Sequence, residues 1–178
     1  MRVLHHCIAL SILPLMSLSA ITTADDVGLL TVSSKAFQHE GVLPKRYSCN
    51  GEDISPPLTV SNIPEGTKTL VLIHDDPDAS YWMHWVLYDV PVTGDTVTLA
   101  ESASTKAVWP DGTMQGYNGW GQASYGGACP PDGTHQYLFK FYALDAKLNL
   151  KKKSSAYKVK KAMKKHIIAK GELMASYP

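Results

Sequence analysis

The chain has 178 residues, 44% of them hydrophobic, with 17 Lys and Arg against 16 Asp and Glu. That length suits one domain of ordinary size rather than a multidomain assembly. A formal charge of +1 supplies no global field for a polyanion, so nucleic acid is not an expected partner.

The N-terminus has the pattern of a secretory leader. Arg2 carries the positive charge, Cys7 to Leu18 is apolar apart from Ser11, Pro14 and Ser17, and Thr22-Thr23-Ala24 offers small residues for cleavage. Residues 1–24 are therefore expected to be a signal peptide and residues 25–178 a single domain, periplasmic or secreted. The apolar run is too short for a membrane span, and no later segment is long enough. Cys7 lacks the small residues that precede a lipoprotein cysteine. Removing the leader takes away Arg2 and no acidic residue, which leaves a formal charge of zero. In an exported chain the remaining two cysteines, Cys49 and Cys129, read as a disulfide, with buried free thiols as the alternative.

Short strands are expected at 28–33 and 57–60, separated by a turn-rich connection through Pro44, Asn50-Gly51 and Pro56-Pro57. Pro64-Glu65-Gly66 marks a turn. Thr69 to Ile73 is continuously apolar, as a strand buried on both faces should be. Trp85 to Val90, stopped by Pro91, is a second such run, and Tyr137 to Leu144 is a third. Residues 101–136 hold more than half of the 13 glycines and read as a long functional loop. Val159, Ala162, Met163, His166 and Ile167 recur at helical spacing, which predicts a helix over 154–170 capped by Gly171. Its lysines read as a solvated face, with weak attraction to an anionic lipid surface as a second use. His166 reads as a packing histidine. The order of elements describes a β-dominated α+β domain.

Two segments carry the chemistry. In Asp76-Pro77-Asp78 the proline stiffens the turn and fixes where both carboxylates point. They either bond nearby backbone N–H groups or face a ligand. His84 follows six residues after Asp78, and a carboxylate beside it would orient the ring and favour its charged form. Tyr125-Gly126-Gly127 and Pro130-Pro131-Asp132-Gly133 are loops able to turn amides inward as an anion nest. His135 and Tyr137 alternate along a strand start and so share one face. Converged, these groups would hold a phosphate-sized anion.

Rival chemistries find less support. Aspartate and histidine ligate divalent metals, but the spacing matches no metal motif. Ser124 does not sit in a nucleophile elbow, and there is no Walker or dinucleotide fingerprint. No cofactor, metal ligand or catalytic residue is assigned.

At Ser55-Pro56-Pro57-Leu58, Asp75-Asp76-Pro77-Asp78-Ala79, His84-Trp85, Tyr125-Gly126-Gly127-Ala128-Cys129-Pro130-Pro131 and Gly133-Thr134-His135-Gln136-Tyr137 the chain resembles the phosphatidylethanolamine-binding protein family. The resemblance is to its bacterial Raf kinase inhibitor-like (YbhB/YbcL-type) branch, and it extends over residues 29–178. It implies a large central β-sheet packed on a smaller one, with helix at the C-terminal end. It also implies a pocket for phosphate, acetate or a phospholipid head group, formed here by Asp76, Asp78, His84, Tyr125, His135 and Tyr137. The cysteines resemble those of exported members, which supports pairing Cys49 with Cys129. Two positions depart from the family pattern: Ser80 stands where proline usually follows Asp-Pro-Asp-Ala, and Gln136 stands where arginine is common. The expected function is non-enzymatic binding of a small anion or head group. The alternatives are an inhibitor or interaction protein using the pocket loops with a protein partner, or a metal-assisted hydrolase built on Asp76, Asp78, His84 and His135.

Overall fold

The computed structural model describes residues 27–105 and 109–178, so the expected signal peptide lies outside the described residues. In chain order the strands are β1 (Gly28–Leu29), β2 (Thr31–Ser33), β3 (Gly41–Val42), β4 (Leu58–Ser61), β5 (Thr69–Asp76), β6 (Trp82–Pro91), β7 (Val97–Leu99), β8 (Met114–Gln115), β9 (His135–Leu144) and β10 (Ile167–Tyr177). The helix α1 (Ala156–Met163) lies between β9 and β10. The larger sheet runs β1-β10-β9-β5-β6-β8, with β3 also on β10; the smaller is β2-β4-β7.

β5 explains the architecture. All eight of its residues are buried, and their alternation divides two cores. Leu70 and Leu72 face the small sheet together with Leu58, Val60, Phe139, Phe141 and Leu173. Val71 and Ile73 face the opposite way and pack with Val86, Tyr88, Val159 and Met163. A strand with one polar face could not sit between two apolar layers. Each fully buried aliphatic side chain contributes about 1.5–3 kcal/mol to holding them together.

The C-terminal region differs from the expected helix over 154–170. Ser155 caps α1 by accepting a hydrogen bond from the Lys158 N–H, and the helix ends at Met163. Residues 167–177 form β10, which pairs antiparallel with β9 along its length and parallel with β1 and β3 on its other side. The β-branched pair Ile167-Ile168 and the alternation of Ala169, Leu173, Ala175 and Tyr177 into the core favour a strand there. Gly171 is therefore not a helix cap. It lies where β10 passes the backbone of Leu30, and a Cβ there would run into the Leu30 carbonyl oxygen. His166 sits in the turn between α1 and β10, with Nδ1 2.8 Å from Asp145 Oδ1. Among the described residues no helix is long and apolar enough to cross a membrane.

Candidate functional site

The site forms where β5 ends and β6 and β9 begin. Even-numbered residues of β5 and odd-numbered residues of β9 share the face toward the small sheet, which places His74, Asp76, His135, Tyr137 and Phe139 side by side. β6 reaches this face through a register slip. His74 pairs with Trp85 and Asp75 with Met83, which leaves His84 as the extra residue of a bulge. The bulge turns His84 toward the same side as its neighbour Trp85. The His84 ring then lies 5.2 Å from both His74 and Tyr137.

The two sequence segments converge. His135 Nδ1 lies 2.8 Å from Asp76 Oδ2, and the Ala79 N–H donates to the other Asp76 oxygen at 3.0 Å. The Gln136 N–H donates to Asp78 Oδ2 at 2.7 Å. Asp76 is buried and Asp78 exposed, so one carboxylate holds a histidine and the other ties down the start of β9. The hydrogen bond to Asp76 raises the pKa of His135. His84 behaves in the opposite way. Its Nδ1 is 2.9 Å from the Gly126 carbonyl, whose residue also donates its N–H to the His84 carbonyl at 3.0 Å. Burial lowers the His84 pKa, with the Gly126 bond and Asp76 opposing. The expectation that His84 is the carboxylate-paired, charged histidine is thus corrected: His135 takes that role.

Of the two loops expected to form an amide nest, the one at Tyr125-Gly126-Gly127 is already engaged. Gly127 N–H donates to Asp53 Oδ1 at 2.6 Å, and Cys129 N–H donates to the Tyr137 hydroxyl at 3.2 Å. With Gly126 bonded to His84, none of these three amides faces outward for an anion. Tyr125 supports the site from behind. Its hydroxyl donates to the Tyr47 carbonyl at 2.7 Å, and its ring stacks on His74 at 5.7 Å. Burial pushes the hydroxyl pKa values of Tyr125 and Tyr137 upward, so both stay protonated.

The disulfide joins Cys49 to Cys129 across a sequence separation of 80 residues, with Cα atoms 5.4 Å apart. It lies in a zipper between residues 47–53 and 125–129. The Cys49 N–H donates to the Ala128 carbonyl, and Asp53 and Tyr47 accept from Gly127 and Tyr125.

Two parts of the site, and an ion cluster behind it, went unread in the sequence. His74 is fully buried between Phe139, 3.9 Å away, and Tyr125, and its Nε2 has no hydrogen-bond partner. Burial, together with nearby His84, holds its pKa well below the usual histidine value. Its alternation with Leu70, Leu72 and Asp76 was the signal that could have placed it. Trp120 lies edge-on to His84 at 5.1 Å and to Trp82 at 5.6 Å. No spacing rule connects a loop tryptophan to His84. Asp75 is buried on the far side of β5 with Lys140 Nζ at 2.7 Å and Lys160 Nζ at 3.7 Å. The Ser80 departure also has a physical sense. Ser80 and Tyr81 have φ of 55° and 58°, and proline, locked near −65°, could not occupy the first of these positions.

Among the described residues no group of three or more His, Cys, Asp or Glu side chains is placed to hold a metal ion. Two packed sheets with histidines, tyrosines and a buried carboxylate gathered at the strand mouths describe a β-rich domain with one candidate site. The sequence profile of the phosphatidylethanolamine-binding protein family matches residues 33–178, and the chain belongs to that family. A UPF0098 protein of Methanothermobacter thermautotrophicus is 41% identical over 150 residues, covering 83% of this chain and 98% of the relative. A UPF0098 protein of Chlamydia trachomatis is 40% identical over 156 residues, with the same coverage. Among solved structures, the Chlamydia trachomatis homologue CT736 superposes with a TM-score of 0.75 at 37% identity, covering 85% of this chain and 98% of that one. E. coli YbcL superposes with a TM-score of 0.75 at 34% identity, covering 83% and 97%.

Proposed function

We propose that this protein is a non-enzymatic binding module, working outside the cytosol, that holds a small anion or phospholipid head group between His135 and His84. The carrying observation is the Asp76–His135 pair set beside a second, differently tuned histidine. Its Nδ1 held by Asp76, His135 is stabilised as an imidazolium with Nε2–H left to donate to an anion. His84 spends Nδ1–H on Gly126 and, when neutral, offers only a lone pair at Nε2. It becomes a second donor on taking up a proton, so ligand binding is coupled to proton uptake. With Gln136 in place of arginine, His135 supplies the site's positive charge.

Nucleophilic chemistry has little to build on. Cys129 is in the disulfide, and the Ser124 hydroxyl contacts Gln122 rather than a histidine. The disulfide supports an oxidising compartment. The test is titration with phosphate, phosphoethanolamine and acetate while the His84 and His135 imidazole signals are followed by NMR. Saturable shifts at both rings are expected. Silence at millimolar ligand would refute the reading, and a tightly bound metal in purified protein would point to the hydrolase instead.

A further inference from the structure

The near-neutral total hides a strong segregation of charge. Residues 140–178 contain eleven of the 17 basic residues and two of the 16 acidic ones. Only Lys140 and Lys160 of these lysines form ion pairs among the described residues, and both use Asp75. The other nine are exposed. The outer face of α1 and the turn that follows it present Lys158, Lys161, Lys164 and Lys165, three or four residues apart, and Lys151–Lys153 lie just ahead of the helix. Like charges at that spacing repel one another, and each close pair costs a few tenths of a kcal/mol. The helix dipole favours cations in the last turn. It gives no reason for Lys158 or for the turn at 151–153.

Aromatic rings adjoin this face. Tyr157 stands on it at 72% exposure. Lys140, which shares Asp75 with Lys160 of α1, lies 5.2 Å over the ring of Tyr81. Tyr81 precedes Trp82, and Trp82 meets Trp120, which covers His84. Tyr117 bridges to Ser155, the cap of α1. Tyr81, Trp82, Tyr117 and Trp120 are all exposed, between 41% and 60%. These contacts lead stepwise from the lysine helix, around the ends of β5 and β6, over a collar of rings to His84 at the candidate site.

We propose that this surface docks on an anionic lipid bilayer. Lysines meet lipid phosphates, the amphipathic rings settle at the water–hydrocarbon boundary, and the pocket mouth comes to the level of the head groups. A bilayer suits both halves of the patch at once, and the lysines stand on an outward helix face rather than in a groove that would track a strand of nucleic acid. The proposal goes beyond the pocket reading and can fail apart from it.

The experiment is co-sedimentation of the full protein with vesicles of phosphatidylcholine, with and without phosphatidylglycerol, at about physiological ionic strength. Binding is expected only with phosphatidylglycerol, weakening as salt rises, with a blue shift of tryptophan fluorescence that Trp120→Phe reduces. Replacing Lys158, Lys161, Lys164 and Lys165 with Gln should lower partitioning at least tenfold, out of the roughly thousandfold that four lysines supply at full strength. Lys35→Gln/Lys68→Gln serves as a control for general charge loss and should keep docking. His84→Ala should keep docking while losing head-group titration, which separates the two readings. No binding to anionic vesicles, binding unaffected by the four α1 substitutions, or capture of duplex DNA without vesicles would each overturn the proposal. Vesicle binding with no fluorescence change would overturn the placement of the mouth at the interface.

Discussion

Asp76→Asn tests the electrostatic centre of the site with almost no change of shape. The wild-type carboxylate has two partners, His135 Nδ1 at 2.8 Å and the Ala79 N–H at 3.0 Å. Asparagine keeps an oxygen for Ala79 and turns its amide toward His135, which then does best as a neutral ring accepting at Nδ1. The imidazolium loses its partner, so the His135 pKa falls from its raised value. A hydrogen bond to a charged group contributes about 1.5–3 kcal/mol, and the carboxylate and ring here are only 3% and 12% exposed, so little is lost to solvent screening. The sign follows from linkage. A raised folded-state pKa gives stability that is fully present below the unfolded value near 6.5 and fades as pH rises through the folded value. The variant should therefore lose about 2 kcal/mol on the acid side and clearly less on the alkaline side, where neutral His135 still donates a weaker bond to Asp76. Urea melts at about pH 5.5 and about pH 8.5, with an NMR titration of His135, measure both quantities. An equal stability loss at the two pH values, or an unchanged His135 titration, would refute the reasoning.

Three further outcomes are expected. Because burial lowers the His84 pKa and a bound anion favours its charged form, affinity for sulfate should rise as pH falls toward the lowered His84 pKa, by up to about tenfold per pH unit; calorimetry in two buffers should show proton uptake, and a flat profile would exclude His84 as a ligand. Gly171→Ala should cost about 2–3 kcal/mol in denaturant unfolding, since its methyl group meets the Leu30 backbone between two paired strands; a near-neutral effect would mean that β1 moves aside easily. Reducing Cys49–Cys129 should remove at most about 4–5 kcal/mol, as chain entropy sets for a loop this long, and should speed proteolysis within 118–134 before it exposes the sheet; equal cleavage in both forms would show that the backbone zipper alone orders the loop.

The strands most legible in the sequence were those whose burial left a continuous apolar run, namely β5, β6 and β9. The short pairs β3, β7 and β8 carry two or three residues each, too few to show a period. β10 was misread because Val159, Ala162, Met163, His166 and Ile167 continue a helical spacing across a real boundary. The alternation of Ala169, Leu173, Ala175 and Tyr177 favours a strand there, and pairing with β9, β1 and β3, all more than twenty residues away in sequence, fixes 167–177 as extended. At the site, strand alternation and turn chemistry marked the two segments that hold Asp76, Asp78, His84, His135 and Tyr137, while their convergence was legible only through the family resemblance. Which histidine faces the carboxylate was not, because it depends on the His84 bulge, and a bulge is a property of two paired strands. The engagement of the Gly126 and Gly127 amides was hidden for the same reason: their partners, His84 and Asp53, lie far off in the chain.

The position of β10 also governs the order of folding. β1 and β3, near the start of the described chain, have β10 as their sheet partner, so they stay unpaired until synthesis reaches Tyr177. Until then β9 keeps one edge open as well. Pairings this distant close slowly, because a long loop must be ordered before its ends gain anything. A ribosome-bound or partly threaded chain would therefore hold a small sheet and a β5–β6–β9 core without the finished larger sheet. Damage to β10 would therefore reach both the closing of the sheet and the site itself, since Tyr177 pairs with His135 and Ala175 with Tyr137.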